Sequence, residues 1–415
     1  MAAMTSVFKI ALRNLLRYKR RTALTATLVT LGVIFVLVFT SIAGSFKQMM
    51  ISQITDSMLG HLQIHRKGYV AAIESLPLNM NMKQAGFDKL EKLLKQEQGV
   101  AAYSPRIKFG GMFSNFMETT NIRLNGIDPQ KEFATVPLLP DRIISGEKSL
   151  KKGDILVPEL LARGMNVKVG DTVVIVATNQ NGSVNGKQFR ISGILESATG
   201  PGGRDGYVHF DDAIELLRME QPEISEVAVR LKKFSALNKV AKSLRQVVAA
   251  EKNPMGKPLF ELHSWEDLSP FAKVAKMLNL MTVFIKVMLI AIVLVSIMNV
   301  MIMAVFERIR EIGTIAAIGT PPATIRSLFL VEGLCLGLFG AVLGNLIGII
   351  IIGIVNLSQI TFSFGQQTGL ILKASIAPAD ILMVSVIVVI VSVLATLQPA
   401  IKASKMEPID ALRHV

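Results

Sequence analysis

The stretch ERIREIGTIAAIGTPP, residues 307–322, carries four charges in its first five positions and lies between two long apolar segments. Ile309, Ile312, Ala316 and Gly319 recur at the three-and-four spacing of one helix face, and Gly319 followed by Pro321 and Pro322 stops the helix. The pattern predicts a short amphipathic helix at a membrane surface. A plain connection between two spanning helices needs only a few polar residues, so a helix with an apolar face calls for something to cover it, either lipid or a bound partner.

The flanking composition supports the membrane setting. Of 415 residues, 51% are hydrophobic, 6% aromatic and 18% charged, too apolar for an ordinary soluble protein and too charged for a fully embedded one. Residues 23–43, 277–306, 327–355 and 381–398 are each close to or beyond the roughly 20 apolar residues that cross a bilayer. A segment of mixed composition separates the first two. The first apolar run is longer than the roughly 7 to 15 residues of a secretory signal and has a long basic lead, so it reads as a retained anchor despite Ser41-Ile42-Ala43.

Net charge is +14, and its placement orients the chain. Lys9, Arg13, Arg17, Lys19, Arg20 and Arg21 precede the first span without an acid, which keeps that end in the cytoplasm. Alternation then gives a cytoplasmic basic amphipathic helix at 1–21, a span at 22–45, an extracytoplasmic α+β domain with stalk at 46–275, and a second span at 276–306. The cytoplasmic helix 307–322 follows, then a span at 323–355, an outer loop at 356–378, a span at 379–400 and a cytoplasmic tail at 401–415. Arg308, Arg310, Arg326, Lys402, Lys405 and Arg413 all fall inside, and the outer loop holds Lys373 alone. Positive charge that flanks spans or mixes with acids gives no nucleic-acid signature. The sole cysteine, Cys335, excludes an intrachain disulfide.

From residue 8 to residue 20, Phe8, Ala11, Leu12 and Leu15 share one helix face and the basic residues another, the pattern of a helix on the inner leaflet. The first span continues as a projecting helix into GHLQIHRKGY, an alternating strand in which His61 and His65 face the same way. Residues four apart on a strand are separated by roughly 13 Å, too far to share a metal, so a solvated strand face is expected. Helices are predicted at 87–98, 159–164, 211–218 and 236–251, and strands at 101–109, 121–127, 154–157, 207–210, 226–231 and 259–263. Two more strands surround a turn containing Asn181-Gly182 and Asn185-Gly186. The irregular alternation makes this an α+β domain. The glycine-rich loop 200–206 lacks phosphate-loop spacing, as does the rest of the chain, so any ATP is expected on another subunit. Ser264 and Asp267 form a capping box, from which a helix should run into the second span as a stalk beside Trp265.

Lys286, Asn299 and Glu332 are polar residues within spans, where such groups are functional candidates. Lys286 and Glu332 differ in depth by roughly 20 Å and should not meet; Glu332 is expected near the inner interface against polar groups, and Lys286 to snorkel outward. Gly333 and Gly337, then Gly340, Gly344 and Gly348, form ridges that permit close helix approach within one subunit or between two. No catalytic constellation or metal-ligand cluster is visible, so the chain is not expected to be an enzyme.

Four spans with a large domain between the first two, ERIREIGTIAAIGTPPATIRSLFLVEG entering a glycine-rich span, and the closing PAIKASKMEPIDALRHV resemble the FtsX-like permease family of ABC transporters, which includes MacB and the lipoprotein-releasing Lol permeases. LNGIDPQKE and ILVPELLARGMNVKVGDTVVIV resemble the MacB-type periplasmic core domain. The resemblance implies a coupling helix at Glu307, Arg308, Ile309, Arg310, Glu311, Ile312, Gly313 and Gly319, docking on a separate ATPase. Arg308, Arg310 and Glu311 would be polar contacts, Ile309 and Ile312 apolar ones. It further implies no cofactor on this chain, ATP and Mg in the ATPase, and two ATPase copies. A second permease subunit in a homo- or heterodimer, membrane lipid, a lipoprotein and a periplasmic acceptor complete the implied partners. The setting would be the cell inner membrane with the large domain in the periplasm. Motion passed through stalks would drive lipoprotein release, MacB-like efflux, or signalling to an extracytoplasmic enzyme. Unlike MacB, the chain has no fused ATPase domain.

Overall fold

The computed structural model describes residues 2–197, 204–252, 256–364 and 367–406. Helices α1 (Ala2–Arg17) and α2 (Lys19–Ile54) lead through a π-helical turn to strand β1 (Leu62–Arg66). Then come β2 (Met82–Lys83), α3 (Gln84–Gln96), β3 (Val100–Ser114), β4 (Thr119–Ile127), α4 (Pro129–Thr135), β5 (Ile143–Gly146), β6 (Asp154–Pro158) and α5 (Glu159–Gly164). β7 (Thr172–Thr178), β8 (Val184–Leu195), β9 (Gly206–His209), α6 (Phe210–Leu216), β10 (Glu223–Ile224), β11 (Glu226–Leu231), α7 (Leu237–Ala250), β12 (Phe260–Ser264) and α8 (Trp265–Leu268) complete the large domain. The chain ends with α9 (Phe271–Glu307), α10 (Ile309–Ala317), α11 (Pro322–Leu357), the hairpin β13 (Thr361–Phe364) and β14 (Gln367–Ile371), and α12 (Pro378–Ser404). The chain forms two compact units, a helical one and one built from residues 48–275 and 362–370.

Within the second unit, successive pairings β3–β4, β4–β9, β9–β6, β6–β8, β8–β7 and β7–β3 close a ring of six strands. Closure removes open edges, and alternate residues fill the interior: Phe109, Phe113, Ile175, Phe189 and Val208 are all buried there. The first half of the long strand β3 leaves the ring to join a second layer in the order β12-β1-β11-β3. Leu90 and Leu94 of α3 and Val240, Leu244 and Val248 of α7 cover one face of it, together with Trp265. Two subdomains therefore share one strand.

Several expectations change here. GHLQIHRKGY is not a solvated strand. β1 lies between β11 and β12, and both histidines are buried. His61 Nδ1 accepts from Leu231 N at 3.0 Å; His65 stacks on Tyr69 with its Nε2 3.6 Å from Glu226. Alternation alone could not show that the polar face is capped by other polar groups. Asn185-Gly186 belongs to β8; the turn is 179–183, where Asn179 Oδ1 accepts from the amides of Asn181 and Ser183. The capping box at Ser264 and Asp267 is present, but its helix ends at Leu268. Pro270 follows, and the long helix starts afresh at Phe271. The outer loop contains the β13–β14 hairpin. Of the glycine-rich loop, residues 200–203 lie outside the described residues, as does the tail from 407.

A buried charge network braces the junction of the two layers. Arg106 lies between Glu132 (2.7 Å) and Glu226 (2.9 Å), with Lys108 3.6 Å from Glu226. Burial alone would raise the Glu226 carboxyl, yet Lys108, His65 and Arg106 hold it well below the usual carboxylate range. Its stabilisation is therefore complete above that range and is lost as the pH falls through it toward the depressed value.

Among the described residues four helices are long and apolar enough to cross a membrane, 22–59, 271–307, 322–357 and 378–404. The glycine stripe of α11 organises them, and its neighbours belong to the same chain. A Cβ on Gly333 or Gly337 would strike Thr396 or Ser392 of α12. One on Gly340, Gly344 or Gly348 would meet Val29 at 2.5 Å, Val33 at 2.6 Å or Leu37 at 2.8 Å, all on α2. The ridge is spent on packing inside one subunit.

Two outcomes follow. Gly344→Leu should lower the thermal unfolding midpoint of detergent-solubilised protein, whereas Gly353→Leu, where a Cβ meets nothing within 4 Å, should leave it unchanged. Glu226→Gln leaves Arg106 with Glu132 alone and Lys108 without its carboxylate, and should cost about 3–5 kcal/mol, read by urea unfolding on the buried Trp265 fluorescence. The same variant should lose the acid-dependent part of the stability that the native chain shows below the carboxylate range.

Candidate functional site

The predicted helix at 307–322 is shorter than its sequence pattern, and its faces are allocated differently. α9 runs unbroken to Glu307; Arg308 leaves helical geometry at φ −110 and ψ 19; α10 then spans nine residues. No glycine or proline marks this break. Its cause is the Arg308 side chain, 5% exposed, which turns into the bundle to donate from Nη1 to Glu332 Oε1 at 2.9 Å. The same guanidinium lies 5.6 Å from the Phe329 ring, and its Nε is 3.4 Å from Glu311.

Glu332, 1% exposed and ten residues into α11, is the hub. Its Oε1 also accepts from Asn14 Nδ2 of α1 at 2.8 Å. One carboxylate thus joins α1, the entry to α10, and α11. Arg17 of α1 reaches Glu311 at 3.2 Å, an exposed pair worth little alone. Ala11 and Leu15 of α1 are buried, so that part of the basic helix's apolar face is covered by its own chain rather than by lipid.

The remaining candidates separate cleanly. Ile312 and Gly313 are buried and Ile309 half-buried, so the apolar face predicted to dock outward is the one packed inward with Ile325 and Phe329. Arg308 is likewise not an outward polar contact. Arg310 is exposed and Glu311 half-exposed. Gly319 is exposed at φ +94, the left-handed stop that its position demands, with Gly319 N donating to Ala316 O. The outward face consists of Arg310, Thr314, Ile315 and Ile318, the last 80% exposed. Sequence reading missed Ile315 and Ile318, although their three-residue spacing marks a second face. It also missed Asn14, for which no local pattern gives a signal.

Lys286 does not meet Glu332; its Nζ lies 3.7 Å from Met383 Sδ. Asn299 is exposed on α9. Among the described residues no group of three or more His, Cys, Asp or Glu could hold a metal.

A multi-span membrane subunit with a large extracytoplasmic domain and a pinned helix between two spans is the class these features define. Residues 22–247 match the MacB-like periplasmic core domain and residues 283–408 the FtsX-like permease C-terminal model, and the chain belongs to this family of ABC transporter permeases. It is 23% identical to the lipoprotein-releasing system transmembrane protein LolC of Neisseria meningitidis, over 93% of this chain and 92% of that one. It is 24% identical to LolE of Haemophilus influenzae over 79% and 80%. Identity to the probable export ATP-binding/permease protein MacB of Pseudomonas entomophila is 23%, covering 98% of this chain but 58% of that one.

The hub predicts strong coupling. Arg308→Ala should destabilise the subunit by about 3–5 kcal/mol by leaving Glu332 buried without a counter-charge, and Arg308→Met with Glu332→Met should recover most of the loss. Thermal unfolding in detergent of Arg308→Ala, Arg308→Met, Glu332→Met and the double variant measures this; additive losses in the two methionine singles and their double would dissolve the pairing.

Proposed function

We propose that this chain is the membrane subunit through which a separate ABC ATPase drives release of lipoproteins from the outer face of the cytoplasmic membrane. The observation that carries the reading is the outward face of α10: apolar Ile315 and Ile318 beside Arg310 and Thr314, on a helix fixed from behind by Arg308, Ile312 and Glu332. Exposed isoleucines on a rigid cytoplasmic helix suit a groove on a partner protein. Two ATPase copies, carrying ATP and Mg, would bind a permease dimer.

α2 and α9 are suited to pass motion outward. At 36 and 37 residues each is about 54 Å long, well beyond the roughly 30 Å hydrocarbon core. Each runs without a break from span residues into residues of the large domain. Lipoprotein as substrate rests on the LolC and LolE relatives that match most of this chain; a periplasmic acceptor would then take the released lipoprotein.

The test is affinity purification of the tagged chain in mild detergent, with an ATPase assay in the presence and absence of a purified lipoprotein. A co-purifying ATPase stimulated by lipoprotein is expected, and Ile315→Asp with Ile318→Asp should abolish co-purification without altering the unfolding midpoint. An ATPase indifferent to lipoprotein would move the reading to efflux or signalling, and loss of fold in the double variant would unseat the outward-face assignment.

A further inference from the structure

α1 does not continue the line of α2. Thr22 Oγ donates to the Leu15 carbonyl at 2.9 Å, whereas residues seven apart in a straight helix are separated by about 10 Å along its axis. The chain therefore turns at Tyr18, between the two helices, and α1 leaves the spanning direction of α2. Going round α1 at about 100° per residue, buried Ala11 and Leu15 give way to exposed Phe8 and Leu16, and these to exposed Lys9 and Arg13. Arg17 and Asn14 come next and bring the helix back to the bundle at Glu311 and Glu332. Ile10, between Arg17 and Asn14, is exposed off this order. Lys9, Arg13 and Arg17 form a row at four-residue steps. Arg17 has Glu311 at 3.2 Å, while Lys9 and Arg13 face no carboxylate among the described residues. Residues 1–55 contain no aspartate or glutamate.

A helix turned aside at the foot of a span, apolar next to the bundle and cationic beyond that, has the build of one lying at a membrane surface. Its row of cations meets headgroup phosphates there. A zwitterionic headgroup already carries its own cation, so the net gain comes from anionic lipid. We infer that Lys9 and Arg13 hold the phosphates of anionic phospholipid in the leaflet away from the large domain, with Phe8 and Leu16 in its acyl chains, and that this lipid steadies the end of the bundle where α10 is pinned. The route is short. Arg13 adjoins Asn14, whose amide donates to Glu332, and Arg17, one turn further on, pairs with Glu311. Lipid charge thereby sets how firmly α10 is held from behind, whatever binds its outward face.

Two measurements test it. In a Cys335→Ala background, energy transfer from a dye on Ala23→Cys to acyl-labelled phosphatidylglycerol reads binding in mild detergent. Unlabelled phosphatidylglycerol should compete and phosphatidylcholine should not. Lys9→Gln with Arg13→Gln should weaken binding roughly ten- to thirtyfold, whereas Lys405→Gln, on an exposed residue just past α12, should leave it unchanged. Helical circular dichroism of the chain in nanodiscs should then show a higher unfolding midpoint in equal parts of phosphatidylglycerol and phosphatidylcholine than in phosphatidylcholine alone, a rise that Lys9→Gln with Arg13→Gln loses. Asn14→Ala with Glu311→Gln should keep the binding and lose the rise. Equal competition by phosphatidylcholine, equal weakening by Lys405→Gln, or competition by soluble glycerol phosphate at the concentration of the lipid would overturn the lipid site. A rise that survives in Asn14→Ala with Glu311→Gln would overturn the link to α10. No ATPase enters either measurement, so these outcomes leave the proposed function standing.

Discussion

The ion pair between Arg308 and Glu332 governs the end of the bundle where α1, α10 and α11 meet. A guanidinium and a carboxylate this deeply buried are costly to desolvate, and the cost is met only where geometry and further hydrogen bonds are good. Here one carboxylate oxygen receives both Arg308 and Asn14, and the guanidinium faces the Phe329 ring. To place Arg308 there, the backbone must leave the helix between Glu307 and Ile309. The direction of α10, and therefore which of its faces is outward, follows from that one side chain.

A second constraint is the bare stripe on α11. Steps of four, three, four and four residues keep Gly333, Gly337, Gly340, Gly344 and Gly348 on one face within about 80°. That face meets α12 at the first two glycines and α2 at the last three, so the neighbour changes with depth while the stripe does not. Close approach of backbones substitutes for the hydrophobic drive that lipid denies to helix association. Polar pairs then fix register, as Asn345 Nδ2 does by donating to Ser385 Oγ at 2.7 Å.

Much of this was legible in the chain because hydrophobic period and breakers are local properties. The four spans, the β11 strand at 226–231, the α5 helix at 159–164 and the capping box at Ser264 follow from spacing and from single residues such as Gly319. What was not legible depended on distant partners. His61 and His65 looked solvated because nothing nearby announces that Glu226 and Tyr69 meet His65, or that the Leu231 amide and Phe234 meet His61. Ile309 and Ile312 looked like a docking face because an apolar stripe does not say whether it binds a stranger or its own chain. The six-strand ring required the parallel pairings β4–β9 and β6–β8 between segments far apart in sequence, which periodicity cannot supply.

These constraints bear on how α10 can work. Nine residues are too few for a helix to be stable alone in water, so α10 exists because its inner face and its entry are held. A partner pressing on Ile315 and Ile318 would therefore displace a body rather than bend a loop. Two routes lead away from it: through the short Arg308 break into α9, and through Glu332 into α11 and α1. The first continues into residues of the large domain; the second ties the displacement to the glycine-packed bundle. If an ATPase docks on α10 as proposed, softening either route would leave that binding intact while reducing what the large domain receives, which is how a defect in transmission would differ from a defect in docking.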